Sequence, residues 1–136
     1  MTSFLQPLLR KGATGLRIEN VRSGRVVADH VIAAFDSATR RTGLLQHKSF
    51  ADGSALIIAP SNAIHTFFMK FPIDLAFFSK SGLVLKVCPA VPAWRIAASL
   101  RAFGVIELPV GSLARSDTRA GDQLAIVAAA EGSANG

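Results

Sequence analysis

The residues best suited to chemistry crowd into one stretch. His65, Thr66, Met69, Lys70 and Asp74 follow one another closely, interleaved with Phe67, Phe68 and Phe71. Charged groups in so apolar a stretch must be paired, hydrogen-bonded or at the surface, because an unpaired buried charge is expensive. A histidine near an aspartate can form an acid–base pair in which the carboxylate fixes the imidazole tautomer. The same residues also suit a purely structural role. Asp74 would then accept backbone N–H groups after Pro72, or pair with Arg40 or Arg41, and His65 would be a satisfied, partly buried ring. In an extended segment His65 and Phe67 share one face, and Thr66 and Phe68 the other.

Glu107 stands between Ile106 and Leu108, so its side chain points to the opposite face of its strand from theirs. It faces solvent, or a cavity shared with His65 and Asp74; two carboxylates and a histidine would suit proton transfer. Trp94 and Arg95 lie in a Pro-rich loop that either lines a groove or plugs the end of a barrel. Met69 reads as a core gap-filler. Cys88, the one cysteine, has no intrachain disulfide partner and reads as an inert core thiol. The three histidines, His30, His47 and His65, lack metal-ligand spacing, so no metal is expected. No phosphate-cradling glycine loop or nucleophile elbow appears, so no cofactor is expected either.

Many short strands must position these groups. Residues 16–21 alternate apolar and polar, and residues 25–34 form a β-branched run after a Ser23-Gly24 turn, together a hairpin. Asp36 or Ser37 can cap a short helix through Arg41 that Gly43 ends, after which Leu44 and Leu45 pack inward. Residues 55–59 read as a buried strand stopped by Pro60. Residues 64–78 read as two strands broken near Pro72. A hairpin loop over 79–82 leads to a returning strand over 83–87. Residues 88–98 are irregular or an edge. Residues 105–108 and 123–128 are strands, and 111–115 a helical turn. The fold class is therefore mainly β: a single compact antiparallel β-barrel or sandwich with one or two short helices. The domain spans 16–129, after a flexible N-terminal segment over 1–15 and before a disordered tail over 130–136.

The chain has 136 residues, half of them hydrophobic and 18% charged. That is one domain with its own core, and the chain as a whole is not a disordered one. No apolar run is long enough for a transmembrane helix. The net charge of +6 is concentrated early, at Arg10, Lys11, Arg17, Arg22, Arg25, Arg40, Arg41 and Lys48. A basic surface attracts nucleic acid, anionic lipid or acidic metabolites, but no nucleic-acid motif accompanies it. Residues 1–15 have the wrong order of charge and apolarity for a secretory signal, which points to the cytoplasm. Leu5, Leu8 and Leu9 beside Arg10 and Lys11 could make a short amphipathic membrane tether.

One ordered series of segments is more specific. Arg41-Thr42-Gly43-Leu44-Leu45, Asp52-Gly53-Ser54-Ala55-Leu56, IHTFFMKFPIDLAFF over 64–78, VIELPVG over 105–111 and Ala120-Gly121-Asp122-Gln123-Leu124 occur in that order. The series resembles the bacterial and archaeal domain-of-unknown-function family 192 from about residue 25 to residue 127. The resemblance implies a small, mostly antiparallel β domain and no established activity. It also allows an envelope association, since many relatives carry a secretion signal or lipoprotein anchor. The family's recurring polar positions fall on Arg41, His65, Thr66, Lys70, Asp74, Glu107 and Asp122. Two departures bear on the site: Leu45 stands where relatives often have Met, and Phe68 where close relatives often have Gly.

Three functions compete. The first is a non-enzymatic ligand-binding or accessory module whose groove is lined by Arg41, His65, Thr66, Lys70, Asp74, Trp94 and Glu107. It would take a small polar or anionic ligand, or a protein partner. The second is a hydrolase or isomerase with Asp74 or Glu107 as base and His65 as proton shuttle. The third is a basic surface module for nucleic acid or anionic lipid. The first accounts for clustered polar groups that do not assemble into a complete catalytic set.

Overall fold

A computed structural model describes residues 3–10, 14–36 and 50–129. The strands are β1 (Leu16–Asn20), β2 (Val26–Ala28), β3 (His30–Ala34), β4 (Ser54–Ile58), β5 (Ala63–His65), β6 (Ile73–Phe78), β7 (Val84–Val91), β8 (Ile96–Ala98), β9 (Gly104–Pro109) and β10 (Leu124–Ala128). One short helix, α1 (Ser112–Arg115), follows β9, and a 3-10 turn covers Gln6–Leu9. The expected helix through Arg41, with Gly43, Leu44 and Leu45, and the tail over 130–136 lie outside the described residues.

The strands form a five-stranded sheet ordered β3-β4-β9-β6-β7, a three-stranded sheet ordered β10-β1-β2, and the pair β5-β8. The fold is mainly β and sandwich-like; among the described residues its sheets do not close into a barrel. Every ladder is antiparallel except β3–β4, which is parallel. The run over 25–34 is split at Asp29: β2 pairs with β1, whereas β3 joins β4 in the other sheet.

The five-stranded sheet is covered on both faces, so every residue of β4, β6 and β9 is buried. Strands of that kind read as continuous apolar runs rather than alternations. One face packs Ala55, Ile57, Ala76, Phe78, Ile106 and Leu108 against Ile18, Val27, Leu124 and Ile126 of the smaller sheet. The other face carries Leu56, Ile58, Ile73, Leu75, Phe77 and Val105, over which Ile64 and Ala97 of β5–β8 lie.

The N-terminal segment, expected to be flexible, is docked over residues 3–10. Phe4 and Leu5 are buried in the first face's core. The Phe4 N–H donates to the Lys80 carbonyl at 2.9 Å, and the Phe4 ring meets Phe78 edge-on at 5.1 Å. Residues 88–98, expected to be irregular or an edge, hold the end of the edge strand β7, a turn over 92–95 and β8. β7 runs to Val91, but its register against β6 slips between Ile73 and Leu75, opposite Pro89 and Ala90. Pro89 has no N–H for the ladder, and such residues sit at bulges; the bulge is completed by Ala90, whose φ is +49°.

Candidate functional site

Asp74 lies on β6 opposite that bulge and is 1% exposed. Its Oδ1 accepts the Ala90 N–H at 2.8 Å, and its Oδ2 accepts the N–H groups of Gly111 at 3.1 Å and Leu113 at 3.0 Å. Gly111 precedes α1 and has no side chain to cap the helix, so Asp74 supplies the missing acceptor from a neighbouring strand. Its carboxylate thus takes the structural role open to it in the sequence, but with donors from β7 and α1 instead of the residues after Pro72.

Glu107 has the opposite surroundings. Its cross-strand neighbours are Leu56 on β4 and Leu75 on β6, so it stands on the face covered by β5–β8. It is 5% exposed, and among the described residues its Oε1 has no hydrogen-bond partner. Burial without compensation raises its pKa to about 7, because desolvation penalises the charged form. Because Leu75 shares that face, the adjacent Asp74 points to the other. The two carboxylates are therefore separated by the sheet itself. His65 is exposed at the end of β5, so the described residues do not bring His65, Asp74 and Glu107 to one point.

Thr66 is 2% exposed and acts as a clasp. Its hydroxyl donates to the Pro92 carbonyl at 2.6 Å and accepts the Arg95 N–H at 2.9 Å. It thereby spans the two ends of the Pro92-Ala93-Trp94-Arg95 turn, where a direct i→i+3 bond would otherwise run. The Thr66 backbone carbonyl accepts from Trp94 and from Met69, both at 3.1 Å. The Met69 bond closes a second turn, Thr66-Phe67-Phe68-Met69. Each turn carries an aromatic residue at its third position with positive φ: Phe68 at +67° and Trp94 at +68°. That region favours glycine, and a bulky side chain there costs about 1–2 kcal/mol.

Both strained residues are exposed, Phe68 by 66% and Trp94 by 57%. Their rings meet edge-on at 4.6 Å. Phe67 stacks on Trp94 at 5.6 Å and on His65 at 4.7 Å, and the His65 Nδ1 accepts the Phe67 N–H at 3.3 Å. The result is an outward-facing aromatic ledge, flanked in sequence by the exposed Lys70 and Arg95. Of the sequence candidates, His65 and Trp94 belong to the ledge, Lys70 adjoins it, Thr66 holds it, and Asp74 and Glu107 lie inside the sheet. Arg41 lies outside the described residues. Phe67 and Phe68 are the contributors that residue chemistry alone passed over.

Asp122 builds a separate knot. It is 5% exposed and accepts Arg22 Nε at 2.6 Å, Asn20 Nδ2 at 2.9 Å and the Arg119 N–H at 2.9 Å. The Arg22 hydrogen bond holds its carboxyl below the ordinary carboxylate range, outweighing the upward push of burial; Asn20 and Arg119 add to the effect. Several early basic residues are likewise committed within the chain: Arg17 to Glu19 at 2.6 Å, Arg22 to Asp122, and Arg25 to the Arg115 carbonyl at 3.0 Å. Among the described residues no helix is long and apolar enough to cross a membrane, and no group of three or more His, Cys, Asp or Glu side chains could hold a metal.

A family model for domain-of-unknown-function family 192, described as an uncharacterized ACR, matches residues 18–126. The chain belongs to that family. The match takes in β2 through β9 whole, with α1 and three of the five residues of each of β1 and β10, so the ledge, the Asp74 bulge and Glu107 are all parts of the family 192 domain. Two solved structures are similar to it. One, from Sinorhizobium meliloti 1021 and described as a "putative transcription regulator", is 22% identical with a TM-score of 0.70, over 80% of this chain and 89% of that one. The other, a protein of unknown function from Novosphingobium aromaticivorans, is 19% identical with a TM-score of 0.69, over 80% of this chain and 81% of that one. Identities this low speak for the family 192 fold alone. No curated protein matches the chain.

Proposed function

We propose that this family 192 domain is a non-enzymatic binding module that works through the His65–Phe67–Phe68–Trp94 ledge, with Lys70 and Arg95 selecting an anionic partner. The observation that carries this reading is the left-handed backbone at Phe68 and Trp94. Two exposed aromatic residues held in a conformation suited to glycine weaken the fold without filling its core. Strain of this kind persists where the surrounding structure fixes it, and it clusters at functional surfaces. Thr66 supplies the fixing bonds. A proton-transfer site has less support, because the sheet separates Asp74 from Glu107.

Trp94 is the chain's one tryptophan, so its emission reports on the ledge directly. Purified protein is titrated with small organic anions, single-stranded oligonucleotides and lipid vesicles while Trp94 emission is followed. At least one class is expected to shift the emission of the wild type and to lose most of its effect in Phe68→Gly. Glycine accepts the φ at position 68, so that variant should stay within about 1 kcal/mol of wild-type stability. No response to any class, or an equal response in Phe68→Gly, would overturn the reading.

A further inference from the structure

The ledge continues into exposed aliphatic surface. Ile96, 72% exposed, is the cross-strand partner of His65. Leu100, 87% exposed, follows shortly after β8. Large side chains this bare are unusual on a domain that meets only water, and Ile96 adjoins the ledge through His65. The surrounding charge has one sign. Residues 53–106 contain Lys70, Lys80, Lys86, Arg95 and Arg101, and their single acidic residue is Asp74, whose carboxylate is buried and bonded to backbone N–H groups. Lys70, Arg95 and Arg101 are exposed, with no carboxylate from their own segments to offset them.

From this surface we infer that the ledge is a membrane-interface wedge: Phe68, Trp94 and Ile96 enter the headgroup region of an anionic bilayer while Lys70 and Arg95 meet its phosphates. The inference rests on the ledge being the binding surface and names its partner. Three observations favour lipid over a single-stranded nucleic acid. Base stacking needs free ring faces, whereas Phe67 stacks on both His65 and Trp94, and each of those rings gives one face to it. Ile96 offers no stacking plane, yet it suits acyl chains. The backbone behind the tip is also largely withdrawn from water: the N–H groups of Phe67, Met69, Trp94 and Arg95 are bonded within the protein, which an apolar environment favours. Tryptophan with flanking basic residues is the composition that settles at a bilayer interface.

The test uses vesicles of phosphatidylcholine alone and of phosphatidylcholine mixed equally with phosphatidylserine, read by co-sedimentation and by Trp94 emission. The wild type is expected to co-sediment with the anionic vesicles, with a blue shift of Trp94, and to be released by salt. Lys70→Gln with Arg95→Gln should weaken binding about thirtyfold, at one surface cation each. Phe68→Gly with Ile96→Ser should abolish the blue shift; circular dichroism checks that both variants are folded. Co-sedimentation that leaves Trp94 emission and the ledge variants unaffected would overturn the inference, because charge elsewhere would then carry binding. A Trp94 response to oligonucleotide or small anions without vesicle binding would overturn it while leaving the ledge as the binding surface. No response to any of them would remove both readings.

Discussion

Glu107 makes ionisation part of this domain's stability. In the unfolded chain its carboxyl has an ordinary value near 4.5; between Leu56 and Leu75 it is raised to about 7. Between those values the folded state holds a proton that the unfolded state has lost, so stability falls as pH rises through the window and levels off above about 7. The full effect is about 3 kcal/mol, or roughly 10 °C in melting temperature for a domain of this size. Glu107→Gln keeps the size and removes the titration. Wild type and variant are compared by urea unfolding, followed by circular dichroism, from about pH 4 to pH 8. The gap in favour of the variant should widen by about 3 kcal/mol across that range. Other titrating groups, Asp122 included, are common to both proteins and cancel. A gap that stays constant with pH would refute the assignment, and would mean that Glu107 finds a charge partner or water in solution. Glu107→Leu should be more stable than wild type at neutral pH, as apolar replacements of unpaired buried charges often are.

Further outcomes follow from the other polar groups. Asp74→Ala leaves the N–H groups of Ala90, Gly111 and Leu113 without their acceptor and should cost about 3 kcal/mol in chemical denaturation; Asp74→Asn should recover only part, since its amide can turn just one oxygen toward three donors. Thr66→Val keeps the shape but loses the hydroxyl that joins Pro92 to Arg95. It should cost about 1–3 kcal/mol and red-shift Trp94 emission as the turn loosens. Asp122, with its lowered folded pKa, contributes stability that is present above about pH 4 and lost as pH falls toward the folded value. Asp122→Asn should flatten the acid limb of the stability profile in thermal melts.

Much of the strand pattern is legible in the chain because burial writes it there. The runs over 54–58, 73–78 and 104–109 are nearly all apolar since both faces of their sheet are covered, and Pro60, Gly82 and Gly121 mark breaks that the backbone needs. What pairs with what is less legible. Nothing local says that the chain changes sheets at Asp29, or that β3 lies parallel to β4, because both depend on partners distant in sequence. The same holds at the candidate site. Asp74 can be read as an acceptor, but its donors come from a bulge and a helix start far along the chain. Glu107 is visible as a lone charge in a strand, yet which face it occupies relative to Asp74 follows only from the β6–β9 register. The ledge was the least visible feature. A left-handed Phe68 and Trp94 contradict ordinary turn preferences, so local rules steer away from the conformation that exposes them.

The strand order has a bearing on how the chain reaches this state. β9 lies between β4 and β6, although it follows both in sequence, and β1 pairs with β10 at the far end of the domain. During synthesis, two of the most apolar strands emerge and must wait for the strand that joins them. Late, distant pairings of this kind slow folding and lengthen the exposure of sticky edges. Glu107 sits on that last central strand. In the unfolded chain at neutral pH it is an ionised gatekeeper in the middle of an apolar segment, of the kind that suppresses aggregation. The charge that weakens the finished sheet thus protects the chain while the sheet is still being assembled.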